Sequence, residues 1–182
     1  MASDSFLDRP ACTAADAPAC VPDKPGVYAI FVSDARVLPK PFSTILGQQS
    51  TDLVYIGKAG GSLHRRLIKQ DLEHRRAASF FRGLGAVLGY RPQQGSLFEC
   101  VNKYNYRFSP SDEDEIRSWI RRHLGVNWDA AIPPVDKELI GLHRPILNIT
   151  DNPEPVPELL ELRAECRRIA AMPPARGGIR AT

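Results

Sequence analysis

The stretch "YIGKAGGSLHRR" (residues 55–66) sets a phenol, Tyr55, an ammonium, Lys58, and two guanidiniums, Arg65 and Arg66, on either side of a glycine run. Glycines let a chain turn tightly, so these groups are drawn toward one small volume. Residues 57–92 carry eight Lys or Arg (58, 65, 66, 69, 75, 76, 82, 91) against Asp71 and Glu73. A local excess of that sign suits a polyanion, although a charge run on a helix also serves as a solvated face. The glycines are not a nucleotide cradle. A GxxxxGK[ST] loop needs a Lys-Ser or Lys-Thr pair after its second glycine, and none follows here.

Two apolar runs can hold such a turn. "GVYAIFV" (26–32) follows a Pro-Gly signal, and "DLVYIG" (52–57) repeats its character, so both read as buried strands. The segment between them carries two prolines and reads as a loop with a short helical turn. Leu63, Leu67, Ile68 and Leu72 recur at helical spacing behind Ser62 as cap, which predicts a helix over 62–75 bearing Arg65, Arg66 and Lys69. A short helix is predicted over 79–89, and a strand within 97–108. Ser109, Pro110 and the acids 112–115 favour a helix start over a catalytic role, with Ile116, Trp119, Ile120 and Leu124 as its inner stripe. In "VDKELIGLH" the spacing puts Val135, Leu139 and Leu142 on one face, with Glu138 at its border. From Glu154 a last helix sets Leu159, Leu162, Cys166 and Ile169 at heptad-like spacing, too short for a coiled coil and suited to packing on the domain.

The chain has 182 residues, 43% of them hydrophobic, and a net charge of +3. That is enough for one sizeable core. We read a flexible leader (1–23), one domain (24–150), a linker and helix (151–172) and a disordered tail (173–182). No apolar run is long enough to span a membrane and the N-terminus has no secretory pattern, so a cytoplasmic protein is expected. Cys12, Cys20, Cys100 and Cys166 form no CxxC pair and no zinc-like spacing with the four histidines, which points to reduced thiols.

Gly26-Val27-Tyr28, Tyr55-Ile56-Gly57, Arg65-Arg66, Glu138 and Pro145-Ile146-Leu147-Asn148 occur in that order. In this the chain resembles the GIY-YIG nuclease family over roughly residues 25–150. "YIGKA" followed by "LHRRL" is especially similar to the nuclease domain of the bacterial nucleotide-excision-repair endonuclease. The resemblance implies an α/β (α+β) domain, a small and mainly antiparallel sheet flanked by helices. It implies an endonuclease that hydrolyses a phosphodiester of DNA, most simply double-stranded, with Mg²⁺ or Mn²⁺. A non-cleaving nucleic-acid-binding module on the same fold is the alternative.

By the same resemblance Tyr28 and Tyr55 face the scissile phosphate, with Tyr28, and Tyr55 or Lys58 nearby, activating water. Arg66 is the catalytic arginine, a role its planar, permanently charged fork suits. Glu138 is the single metal-binding carboxylate, which can suffice because Mg²⁺ keeps waters and shares substrate phosphates. Asn148 supports the site by hydrogen bonds. Gly57, Arg65, Lys69, His74, Arg75 and Arg76 are the expected substrate contacts. The sequence departs from the family in two places. The interval between Tyr28 and Tyr55 is longer, and the place of a frequent histidine one turn after the arginine is taken by Gln70, with His74 two turns along as a substitute. Target and oligomeric state are not legible.

Overall fold

A computed structural model describes residues 4–49, 51–131, 133 and 136–174. Its frame is an antiparallel sheet of order β1-β4-β2-β3, with β1 at Cys12–Thr13, β2 at Gly26–Val32, β3 at Leu53–Ala59 and β4 at Leu124–Asp129. Around it lie α1 (Ala17–Cys20), α2 (Phe42–Gln48), a wide helix (His64–Leu72), α3 (Ser79–Val87), α4 (Pro110–His123), α5 (Asp136–His143) and α6 (Pro157–Ala171). The α/β class expected from the sequence is the one found.

Strand β2 explains its own unbroken apolar run, because both of its faces are covered. Tyr28, Ile30 and Val32 join the main core with Leu67 and Ile68 of the wide helix, Phe80 and Phe81 of α3, and Leu159 and Cys166 of α6. Val27 and Ala29 face a second cluster made with Phe6, Ile56, Leu139 and Ile140. Despite the long interval between them, β2 and β3 pair directly, Tyr28 opposite Gly57 and Ile30 opposite Tyr55. The insert folds back as α2, with Phe42 and Leu46 buried.

Four sequence expectations differ from the structure. The leader is built into the fold: Phe6 is buried, β1 pairs with β4, and Asn127 donates to the Arg9 carbonyl. No strand forms over 97–108, where Leu97, Tyr106 and Phe108 are buried anchors in an irregular segment. Strand β4, between β1 and β2, was not anticipated. Its sequence "LGVNWD" mixes Gly, Asn and Asp, residues depleted in strands, and pairing on both sides overrides that preference. In α5 the buried pair is Leu139 and Ile140, while Leu142 is exposed. Val135, placed in that stripe, lies outside the described residues, as does the expected tail beyond 174.

The edge of the sheet at β3 is closed by residues 147 and 148. Asn148 accepts from the Ile56 amide and donates to the Ile56 carbonyl, both at 2.9 Å, and the Leu147 amide donates to the Val54 carbonyl at 3.0 Å. A free edge would otherwise expose those groups.

Candidate active site

The glycine of "YIG" is fixed by the tyrosine across the hairpin. A Cβ at Gly57 would collide with both Cζ and the hydroxyl oxygen of Tyr28, so only glycine lets the phenol end of that side chain rest against β3. Gly57 therefore makes room for Tyr28 and is itself buried. The Tyr28 hydroxyl, fully enclosed, donates to the Asp71 carboxylate. Asp71 has no exposed surface and also accepts from Arg66 Nη1 at 2.5 Å. In an α-helix residues five apart point about 140° from each other. Here the helix is wide, with i→i+5 hydrogen bonds such as Glu73 N–H to the Ile68 carbonyl at 2.9 Å, which brings Arg66 and Asp71 to one side. Ser62 caps its start by accepting from the Arg65 amide at 3.0 Å.

Burial governs the charges of this trio. It raises the Asp71 carboxyl, against the pull of Arg66 and the Tyr28 hydroxyl. Burial and then the Asp71 charge push Tyr28 well above the usual phenol range, and Tyr55 is raised by the same two causes. Burial works against the Arg66 charge, yet Asp71 and the two tyrosines hold it more firmly protonated than a free arginine. The two phenols are neutral and the guanidinium is not.

Beside the trio a cleft of about 370 Å³ opens over the β3 edge, and its walls include Tyr55, Lys58, Asp136, Asn148, Arg163 and Arg167. Lys58 is half exposed, and its Nζ lies 2.8 Å from Asp136 Oδ1, which holds the ammonium protonated more firmly than usual. The Asp136 side chain is only 15% exposed. It stands three and four residues before Leu139 and Ile140, hence on the buried face of α5. Glu138, two residues along, is turned about 200° round the axis; it is exposed and is not among the cleft residues.

Tyr55, Lys58 and Asn148 line the cleft, and Tyr28 and Arg66 lie behind Tyr55 and adjoin the cleft through it. Glu138 does neither, nor do most of the expected substrate contacts. Arg65 and Arg76 are exposed, Lys69 is paired with Glu73 at 3.3 Å, and Arg75 with Glu73 at 2.6 Å. His74 is fully enclosed, stacked on Phe81 at 4.3 Å, with Nδ1 3.1 Å from Glu113. Burial, opposed by Glu113, brings its pKa down to about 4. With Arg75 it lines a separate hollow, that of Arg107, Glu113 and Arg117. Gln70 donates to the Ala77 carbonyl at 2.9 Å.

The family model described as the GIY-YIG catalytic domain matches residues 26–168. The chain belongs to the GIY-YIG family. A GIY-YIG catalytic domain is a nuclease domain, and the match runs past Asn148 through most of α6, across Arg163 and Arg167. Neither the curated proteins nor the solved structures gave a match. Among the residues around the GIY-YIG corner, Asp71, Asp136, Arg163 and Arg167 were missed from sequence. Asp136 had a readable signal, its i+3 and i+4 apolar partners. Asp71 had only its place between Ile68 and Leu72.

Proposed function

We propose that the cleft is the active site of a metal-dependent endonuclease acting on duplex DNA, and that the reading rests on one juxtaposition: Tyr55, Lys58 and Asp136 line an open cleft next to the enclosed Tyr28–Asp71–Arg66 trio. The donors fit Mg²⁺ or Mn²⁺. Among the described residues no three His, Cys, Asp or Glu side chains form a cage, and the cleft offers carboxylate oxygens, from Asp136 and from the exposed Asp151. A hard cation that keeps waters and shares substrate phosphates needs no more than one or two such groups. Asp136, rather than Glu138, would hold it. When bound there, such an ion supplies Lewis acidity toward a phosphoryl oxygen.

The chain's own groups divide the remaining work. Arg66, charged and 28% exposed on its side chain, bonded to Asp71 and lying beside the Tyr55 hydroxyl, offers the outer edge of its guanidinium to the phosphate and stabilises the charge that builds there. Tyr55 is the phenol that borders the cleft, and as a neutral hydroxyl it orients the attacking water. Tyr28, enclosed and bonded to Asp71, sets the position of Arg66 through that carboxylate. Lys58 balances Asp136 and can turn to a phosphate oxygen. Asn148 holds β3, and with it Tyr55, in register. The four cysteines are all unpaired thiols, which suits the reducing cytoplasm.

Incubating the protein with supercoiled plasmid in Mg²⁺, in Mn²⁺ and in EDTA tests this reading. Nicking in the first two and none in the third is expected. Equal nicking in EDTA would defeat the metal assignment, and no nicking in any of the three would defeat the reading as a whole.

A further inference from the structure

Helix α6 turns two arginines toward the cleft, and the surface beyond them ends in an exposed aromatic ring. Arg163 is 9% exposed, donates from Nη1 to the Ser79 carbonyl at 3.1 Å, and leaves its buried Nε without a partner. Its guanidinium shares the Tyr106 ring with a second buried arginine, Arg82, at 5.9 and 5.7 Å from the centroid. Two guanidiniums side by side in low dielectric repel unless an anion joins them. Asp71 acts on Arg82 from a distance, but no salt bridge reaches either arginine among the described residues.

Arg167 is one helical turn further on. It lines the cleft and also a neighbouring groove of about 420 Å³ with Val101, Lys103, Tyr104 and Arg168. Its guanidinium lies 5.4 Å from the ring centroid of Tyr104, a residue 64% exposed. The loop that carries Tyr104 is tied to α6 at one point and bonded within itself. The Leu97 amide donates to the Ala170 carbonyl at 2.8 Å, Lys103 Nζ donates to the Leu97 and Phe98 carbonyls at 2.7 Å, and the Tyr104 amide donates to Asn102 at 2.8 Å. No acidic residue lines this groove. An anchored aromatic next to guanidiniums is the arrangement on which an unpaired base stacks while its backbone runs along the cations.

Resting on the nuclease reading, we infer that Arg163, Arg167 and Tyr104 form a track for an unpaired DNA strand leaving the cleft. The two arginines hold the phosphate next to the scissile one, and Tyr104 stacks the adjoining base. The preferred substrate is then a duplex with a single-stranded flank at the cut, not an uninterrupted duplex.

The test is fluorescence anisotropy in EDTA with a labelled short duplex bearing an oligothymidine flank, and with the same duplex blunt, for the wild type, Tyr104→Ala, Tyr104→Phe and Arg167→Gln. The wild type should prefer the flanked probe. Tyr104→Ala should weaken the flanked probe by about 5- to 100-fold and leave the blunt one unchanged, with Tyr104→Phe restoring the preference. Arg167→Gln should lower the salt slope for the flanked probe by about 0.7. An unchanged flanked affinity in Tyr104→Ala, or an equal fall on both probes, overturns the track and assigns the patch to something other than an unpaired strand. Cleavage of the flanked duplex in Mg²⁺ by the same preparations separates the two readings. Cleavage without any Tyr104 effect removes the track alone, whereas a Tyr104-dependent flank preference without cleavage of the flanked duplex keeps the track and removes the nuclease assignment.

Discussion

Tyr28 and Tyr55 lie on adjacent strands with ring centroids 6.4 Å apart, and their surroundings give them different work. Tyr28 is sealed under Gly57 and spends its hydroxyl on Asp71. Tyr55 packs on Phe80 at 5.2 Å and borders the cleft with Lys58 and Asp136. One phenol sets a guanidinium through a buried carboxylate, while the other meets whatever enters. Two residues of one type, each the tyrosine of its own motif and each buried, thus differ in that one is enclosed and the other borders the cleft.

The comparison breaks most visibly at the two hydroxyls. Tyr55→Phe should slow single-turnover cleavage by about 10²-fold with an unchanged melting temperature, the size expected when an attacking group loses its orientation. Tyr28→Phe should show itself first in stability, losing about 1–3 kcal/mol because Asp71 is left short of a donor. The same stability loss in both variants, or the larger rate loss in Tyr28→Phe, would erase the division.

Asp71→Asn removes the carboxylate on which the enclosed trio turns. Urea unfolding should show a loss of about 3 kcal/mol, the scale for breaking a buried ion pair, with DNA affinity in EDTA retained. A neutral result would mean that Arg66 is held by something else.

The His74–Glu113 pair is enclosed in the same way and carries a pH signature. A folded-state pKa of about 4 against about 6.5 unfolded means that the unfolded chain binds the extra proton. Its contribution is complete above about pH 6.5 and lost as the pH falls toward 4, up to about 3 kcal/mol. Urea midpoints at the two ends of that range should fall less in His74→Gln than in the wild type. The smallest expected effect is on the open surface. Arg65→Ala should reduce the salt slope of duplex binding by about one unit, one phosphate contact, without altering the cleavage step.

Strands β2 and β3, the Ser62 and Ser109 caps and the helix opening at Pro110 were legible because local rules decide them: apolar runs, a capping hydroxyl, acids in a first turn. Strand β4 and the packed leader were not, since their pairing partners are distant in sequence and their own residues argue weakly for strand. At the site, reading the 62–75 segment with a 3.6-residue period concealed Asp71, which comes beside Arg66 only when the helix widens. The resemblance put the metal on Glu138, and a buried stripe drawn through Leu142 did not count against it; the stripe found runs through Leu139 and Ile140 and has Asp136, not Glu138, on its side. The side chain at issue was two residues away, and on a helix that is the opposite side.

Asp136 and Glu138 are told apart by one measurement. Single-turnover cleavage of one labelled duplex at saturating Mg²⁺ should be compared for Asp136→Asn and Glu138→Gln, with melting on the same samples. The account predicts a fall of roughly 10³-fold for Asp136→Asn, the loss of several kcal/mol of charge stabilisation, and a wild-type rate for Glu138→Gln, both proteins remaining folded. A wild-type rate in Asp136→Asn together with lost cleavage in Glu138→Gln would contradict it and return the metal to Glu138.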